Sequence, residues 1–427
     1  MKTRNAPSRR AIGWPESLRE RSLARLRWRS LGQPTLPAVP ARVAVIHDWL
    51  TGMRGGEHVL EAILDLVPHA ELFTLFHFPG SVSKAIESHA IHTSRLQSLA
   101  TRVRDYRTLL PLFPRAVRQW DLSRFDLIIS SSHAVAKGVD ARGKPHLCYC
   151  HTPMRYIWDR FDDYFPRGPK RILAKPVAAR LRRWDVAASR SVTRFVANSN
   201  FVRDRIRTYY DRDATVVHPF VDEAFLQAPL NRHRDDFHVV VSALVPYKHI
   251  ELAIDAAADR RLVVIGGGPL LESLRARGGP NVQFLGHVSR DVIIDHLGRA
   301  QSLILPGVED FGITPLEAMA LGTPVVALGT GGVRDSVVPG TTGIFFEDAA
   351  VHSLRGALDA AERHVWDRAA IRAHAAQFSR ERFHREMRAE IQKVAGMELG
   401  VGSRGSEKPG DVVSDTRHPT PDTRGST

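Results

Sequence analysis

Glu309 and Glu317 stand eight positions apart in the stretch EDFGITPLE, with an apolar, turn-prone run between them. A carboxylate accepts paired hydrogen bonds from vicinal hydroxyls, so each glutamate suits one end of a polyhydroxylated ligand. The intervening loop, Asp310, Phe311, Gly312, Ile313 and Thr314, can turn unpaired backbone N–H groups toward an anion, backed by the dipole of the helix that follows. A carboxylate on each side of a diphosphate fits a nucleotide sugar, ribose at one end and hexose at the other. A plainer reading competes: Thr314 as helix N-cap, Pro315 at the first helical position and Glu317 as capping-box partner. Capping accounts for Glu317 and leaves Glu309 without a role.

Other stretches offer complementary chemistry. SALVPYKH places Lys248 just after a strand, a point charge for a diphosphate or simply a surface lysine opening a helix. TGMRGGEHVLEAI sets Gly52, Arg54, Gly55 and Gly56 ahead of a helix N-terminus, a second place where backbone can meet an anion. CYCHTPMRYIWD ends a strand at His151, whose imidazole can bond a sugar hydroxyl or serve structure alone. GTGGVRD is a glycine-rich turn able to approach a sugar or phosphate closely. VIGGGP lacks the last glycine of a dinucleotide fingerprint, Leu271 standing there, and reads as a tight strand-to-helix turn. Ser199 reads as an N-cap. Cys148 and Cys150 fall on one face of a strand as small buried residues, and no spacing supports a metal site.

These residues need a scaffold, and its pattern is regular. β-branched runs at RVAVIHDWL, AELFTLF, DLIISSS, PHLCYCH and RFVANS are separated by helical patterns, which predicts a doubly wound parallel α/β sheet. A polar, proline-bearing run from about residue 223 to 234 reads as a linker. A second series follows through FHVVVSAL, RLVVIGGGP, NVQFLG, SLILPGVED and TPVVALGTGG. Two facing Rossmann-like domains leave a cleft at the carboxyl ends of their strands. The expected divisions are a basic, weakly ordered arm over 1–40, domains over 41–225 and 226–375, a helix over 376–398 that crosses back to the first domain, and a disordered tail over 399–427.

The chain has 427 residues, 43% hydrophobic and 25% charged, and a net charge of +14. No apolar run approaches a membrane span and no secretory signal is evident, so the expected place is the cytoplasm. Arginines 19, 21, 25, 27 and 29 alternate with leucines and Trp28, and a second basic run extends from Arg155 through Lys170, Arg171, Lys175, Arg180, Arg182, Arg183 and Arg190 to Arg194. Solvated helix faces or an anionic membrane surface both suit that pattern. Nucleic acid fits less well, since no recognisable binding motif accompanies the charge.

Together, HDWLTGMRGGEHVLE, SSSHAVAKGV, CYCHTPMRYIWD, VANSNFV, LVPYKHIELAI and GVEDFGITPLEAMALGTPVVALGTGGVRD resemble glycosyltransferase family 4, the retaining enzymes of GT-B fold, and its branch of GDP-mannose-dependent mannosyltransferases of polysaccharide assembly. The resemblance covers about residues 42–395. It implies that Glu309 engages the donor sugar, Glu317 the ribose, the amides around Phe311 and Gly312 the sugar and phosphate, and Lys248 the diphosphate. His151 would stand beside the reacting sugar and the Gly55-Gly56 loop near the acceptor, a lipid-linked or polysaccharide hydroxyl, with no metal or other cofactor required. Ala243 stands where many relatives carry a diphosphate-binding arginine, so either Lys248 and the loop amides are expected to do more, or a residue such as Arg54 or Arg334 to reach in. The alternatives are a UDP-sugar donor, a nucleotide-sugar epimerase, or a non-catalytic scaffold of the same fold.

Overall fold

The computed structural model describes residues 42–103, 105–165, 167–230 and 233–396. The expected arm and tail lie outside them, as do the arginines of the arm.

The first sheet has seven parallel strands: β1 (Val43–His47), β2 (Glu71–Thr74), β3 (Ile91–Thr93), β4 (Leu127–Ser132), β5 (His146–Cys150), β6 (Arg194–Ala197) and β7 (Ala214–Val216), in the order β3-β2-β1-β4-β5-β6-β7. The second has six: β8 (His238–Val241), β9 (Leu262–Ile265), β10 (Val282–Gly286), β11 (Leu303–Leu305), β12 (Val325–Leu328) and β13 (Gly343–Phe346), in the order β10-β9-β8-β11-β12-β13. Strand alternation supplies two cores to each sheet. Val43 and Val45 enter one core while Ala44 and Ile46 enter the other, and Val239 and Val240 divide likewise in the second domain.

Chain order reverses between β1 and β4 in one sheet and between β8 and β11 in the other. Ligands of doubly wound sheets bind in the crevice at such reversals, because the loops leaving adjacent strands part to opposite faces. The loops after β1, β4, β8 and β11 carry Asp48, His133, Lys248 and Glu309.

The expected linker and the basic run depart from the sequence reading. The expected linker contains a helix, Glu223–Gln227, capped by Asp222 and anchored by Phe225 in the second domain's core. Val217 and Phe220 belong to the first core and Val221 to the second, so the division falls between Phe220 and Val221. The helix Arg380–Gly396 returns to the first domain: Phe383, Met387, Ile391 and Val394 are buried in its core, and Arg380 bonds Glu61 and Asp65. The basic run is also less exposed than its composition suggests. Arg155 pairs with Asp310, Arg182 donates to the Ile157 carbonyl, and Arg194 binds Glu390 and Thr215.

Candidate active site

Between the domains lies a cleft of about 700 Å³, and most residues singled out in the sequence line it: Arg54, Gly55, Gly56, His151, Lys248, Glu309, Phe311, Gly312, Ile313 and Thr314. Gly52 and Glu317 are not among the lining residues.

The loop after β11 carries Glu309, and its backbone is held from behind. The Gly332 N–H donates to the Glu309 carbonyl at 2.8 Å. A Cβ on Gly332 would lie 2.0 Å from the Asp310 carbonyl oxygen, and one on Gly331 2.5 Å from that of Glu309. Gly331 and Gly332 therefore buttress this loop, and no glycine of GTGGVRD lines the cleft. Gly266 and Gly268 of VIGGGP do the same for the Lys248 loop, since a Cβ on Gly266 would meet the Ser242 carbonyl oxygen at 1.9 Å and one on Gly268 that of Leu244 at 2.4 Å.

The helix that follows Glu309 starts earlier than the capping reading requires. It spans Ile313–Ala320, with Gly312 as N-cap at φ 88° and no side-chain cap. Glycine tolerates that left-handed backbone, and Pro315, in the first turn, gives up an N–H that has no helical acceptor anyway. Thr314 is thus inside the helix, and Glu317 caps nothing. Among the described residues Glu317 makes no hydrogen bond or ion pair. It sits one turn behind Ile313 on the same face, half-buried, and its carboxyl is pushed up to about 7, by burial first and then by Asp222. Phe311 turns its ring inward to stack on His218, 5.5 Å between centroids, so only its backbone is offered to the cleft.

Lys248 ends a short helical turn after β8, and its ammonium pairs with the Glu309 carboxylate. Ala243 is exposed in the cleft nearby. Arg334 is not available there: it donates to the Gly329 carbonyl at 3.1 Å and does not line the cleft.

Across the cleft, His151 follows β5 with its Nε2 2.8 Å from the Ser131 hydroxyl, which in turn lies 3.1 Å from His47 Nδ1. His47 Nε2 is 3.6 Å from Glu57, the residue that accepts the Arg54 N–H at 3.0 Å and closes the N-terminus of the helix Gly55–Leu66. Burial, reinforced by His133 and His47, lowers the His151 imidazole to about 3, so it stays neutral and acts through hydrogen bonds. Gly55 allows close approach here, since a Cβ on it would be 3.0 Å from Ile313 Cδ1, whereas one on Gly56 would make ordinary contact with the His151 ring at 3.9 Å.

Sequence reasoning missed two residues that shape the site. Asp48 accepts the backbone N–H groups of His133, Ala134, Val135 and Ala136 at 2.6 to 2.9 Å, folding the loop after β4 around one buried carboxylate. Burial raises its proton affinity, but His133, His47 and these amides outweigh that and keep it ionised. Asp310 joins the domains: Oδ1 accepts from Thr152 at 3.2 Å and Arg205 at 2.8 Å, Oδ2 pairs with Arg155, and its carbonyl accepts from Ser199. Ser199 also caps its own helix as expected, accepting from Val202. Asp335 adds a second tie through the Asn200 N–H at 2.6 Å and His218 at 3.0 Å. An aspartate directly after a strand, and another beside a candidate glutamate, were the only sequence signals.

Comparison with known proteins agrees with this architecture. A D-inositol 3-phosphate glycosyltransferase of Jonesia denitrificans is 28% identical over 239 residues, 47% of this chain and 56% of that protein. A GDP-mannose-dependent alpha-(1-6)-phosphatidylinositol monomannoside mannosyltransferase of Mycolicibacterium smegmatis is 31% identical over 192 residues, 38% and 50% of the two chains. The chain spans about half the length of these curated relatives. The structure of HepE from Anabaena in complex with UDP-glucose superposes with a TM-score of 0.59 at 17% identity, covering 84% of this chain and 99% of that one. The family model Glycosyltransferase Family 4 matches residues 72–225 and the model Glycosyl transferases group 1 matches residues 200–378, so the two run in succession through both domains of the cleft. This chain belongs to the family 4 glycosyltransferases of GT-B fold.

Proposed function

We propose that the protein is a retaining hexosyltransferase that moves a sugar, mannose from GDP-mannose in the first instance, to a hydroxyl of a lipid-linked or polysaccharide acceptor. The observation that carries this reading is Glu317, a half-buried carboxylate with no protein partner among the described residues, one helical turn behind a loop whose amides and Glu309 face the cleft. Such a group is costly to keep unless a ligand supplies its hydrogen bonds. Ribose hydroxyls on Glu317, diphosphate at the helix N-terminus and Lys248, and hexose on Glu309 follow in line. The diphosphate gains charge as the glycosidic bond breaks, and Lys248 with the amides of residues 311 to 314 stabilises it. The acceptor approaches from the Gly55-Gly56 side, beside neutral His151, and passes its proton to the departing phosphate on the same face of the sugar. Glu309 positions the sugar through hydrogen bonds and forms no covalent bond to it.

One named relative supports this choice of donor, being described as GDP-mannose-dependent, while the other is described by an inositol phosphate and bears on the kind of acceptor instead. The HepE complex keeps a UDP-sugar donor in view. An anionic membrane as acceptor source fits the helix Pro169–Ser189, which exposes Ile172 and Leu173 beside Lys175, Arg180 and Arg183. No helix among the described residues is long and apolar enough to cross a membrane. The test is transfer of labelled hexose from GDP-mannose and from UDP-sugars to a lipid-linked glycan fraction, with the product's anomeric configuration read by NMR. A retained configuration from GDP-mannose is expected. Transfer from UDP-sugars alone would overturn the mannose assignment, and an inverted product would overturn the same-face mechanism.

A further inference from the structure

Arg155 belongs to the first domain but ends in the second domain's half of the cleft. Its guanidinium pairs with Asp310 and lies 5.7 Å from the centroid of the Tyr247 ring. The Lys248 ammonium lies 5.7 Å from the same centroid. The two cations are thus no further apart than twice that distance, both beside the Tyr247 ring, with Asp310 and Glu309 as their resting partners. Both line the cleft, as does exposed Ala243, which leaves open space beside them.

We propose that Arg155 is the second cation on the donor's diphosphate, reaching from the opposite domain, with Asp310 as its partner when the donor is absent. The inference rests on the donor-site reading above. Lys248 is a point charge, whereas a guanidinium presents a planar fork that can hold two phosphate oxygens. Burial works against a charge on Arg155, but Asp310, Tyr247 and Glu309 overcome it and hold the group firmly protonated. A cation carried by the acceptor-side domain also makes diphosphate binding tighten the contact between domains. Donor occupancy and cleft closure are then one event.

The test is calorimetric titration of the full chain with GDP and UDP, and with guanosine and uridine as phosphate-free controls. Arg155→Met is expected to weaken the bound diphosphate about tenfold or more, with nucleoside binding unchanged. Ala243→Arg placed in that variant is expected to restore most of the loss, since a new guanidinium enters the same space. Asp310→Asn has the opposite expected sign, binding the diphosphate severalfold more tightly because the resting partner has lost its charge. Unchanged diphosphate affinity in folded Arg155→Met, or an equal loss for nucleoside, overturns the proposal. Should Arg155→Met fail to fold, unchanged or weaker binding by Asp310→Asn overturns it instead. Wild-type protein that binds neither GDP nor UDP overturns the donor site itself, a result distinct from either.

Discussion

Replacing Glu317 by glutamine separates the structural and ligand-binding accounts of that residue, because the two predict opposite changes. The Glu317 carboxyl rises from 4.5 to about 7 in the folded protein, mainly through burial. A raised carboxyl holds its proton more tightly folded than unfolded, so its penalty is absent below about pH 4.5, grows between there and pH 7, and is complete above. Each tenfold gain in proton affinity is worth about 1.4 kcal/mol. Discounted for the partial exposure of the side chain, about 1–2 kcal/mol remains. Glutamine has the same shape and no charge to bury. Relative to wild type, Glu317→Gln should therefore gain about 1–2 kcal/mol on going from pH 5 to pH 8, read as roughly 1–3 °C in the midpoint of thermal unfolding. Nucleotide binding should move the other way. Only the ionised carboxylate accepts from both ribose hydroxyls, so wild-type affinity for GDP should fall about tenfold from pH 8 to pH 6, while Glu317→Gln binds weakly at both. Parallel stability curves for the two proteins would refute the burial argument. Equal GDP affinity would refute the ribose assignment.

Gly332→Ala should cost roughly 2–4 kcal/mol and lower donor affinity with it, since a Cβ there would meet the Asp310 carbonyl oxygen at 2.0 Å; urea unfolding alongside GDP titration reads both. Lys248→Ala should reduce kcat/KM by about a hundredfold or more while leaving the thermal midpoint within a few degrees, because the amides remain but the fixed charge is gone; steady-state transfer kinetics decide it. Burial lowers His146 and His151 to about 3 each, so both stay neutral in the folded chain while the unfolded chain takes up protons below about pH 6.5. Stability should fall steadily from pH 6.5 toward pH 4, and His146→Asn should flatten part of that slope in pH-dependent denaturation. Gly55→Val should impede closure against Ile313, whose Cδ1 would be 3.0 Å from the first added carbon, and raise KM for the acceptor more than for the donor.

The scaffold is legible in the sequence because its signal is local. β-branched runs bounded by helical patterns mark the strands, and a doubly wound order puts their carboxyl ends in one place, so Lys248, His151 and Glu309 fall to a common cleft on pattern alone. What the pattern hides depends on contacts distant in the chain. Asp310 bonds Arg205 and Thr152 across 105 and 158 positions, and Asp48 binds amides 85 to 88 positions away. Arg155 and Arg194 read as surface charge because composition carries no record of burial. At Glu317 two local rules compete: a threonine-proline start suits a cap, yet Gly312, able to take a positive φ, begins the helix two positions earlier. The same glycine freedom is evident in GTGGVRD, where Gly331 and Gly332 lie close against the Glu309 loop.

On the proposed reading Glu309 holds the sugar of a nucleotide-sugar donor whose diphosphate lies at the start of the helix Ile313–Ala320. Titration of GDP-mannose and GDP into wild type and Glu309→Gln tests it most directly. Wild type is expected to bind GDP-mannose more tightly than GDP, and Glu309→Gln to lose this advantage while still binding GDP. An undiminished preference for GDP-mannose in the variant, or no binding of either ligand by folded wild type, would contradict it.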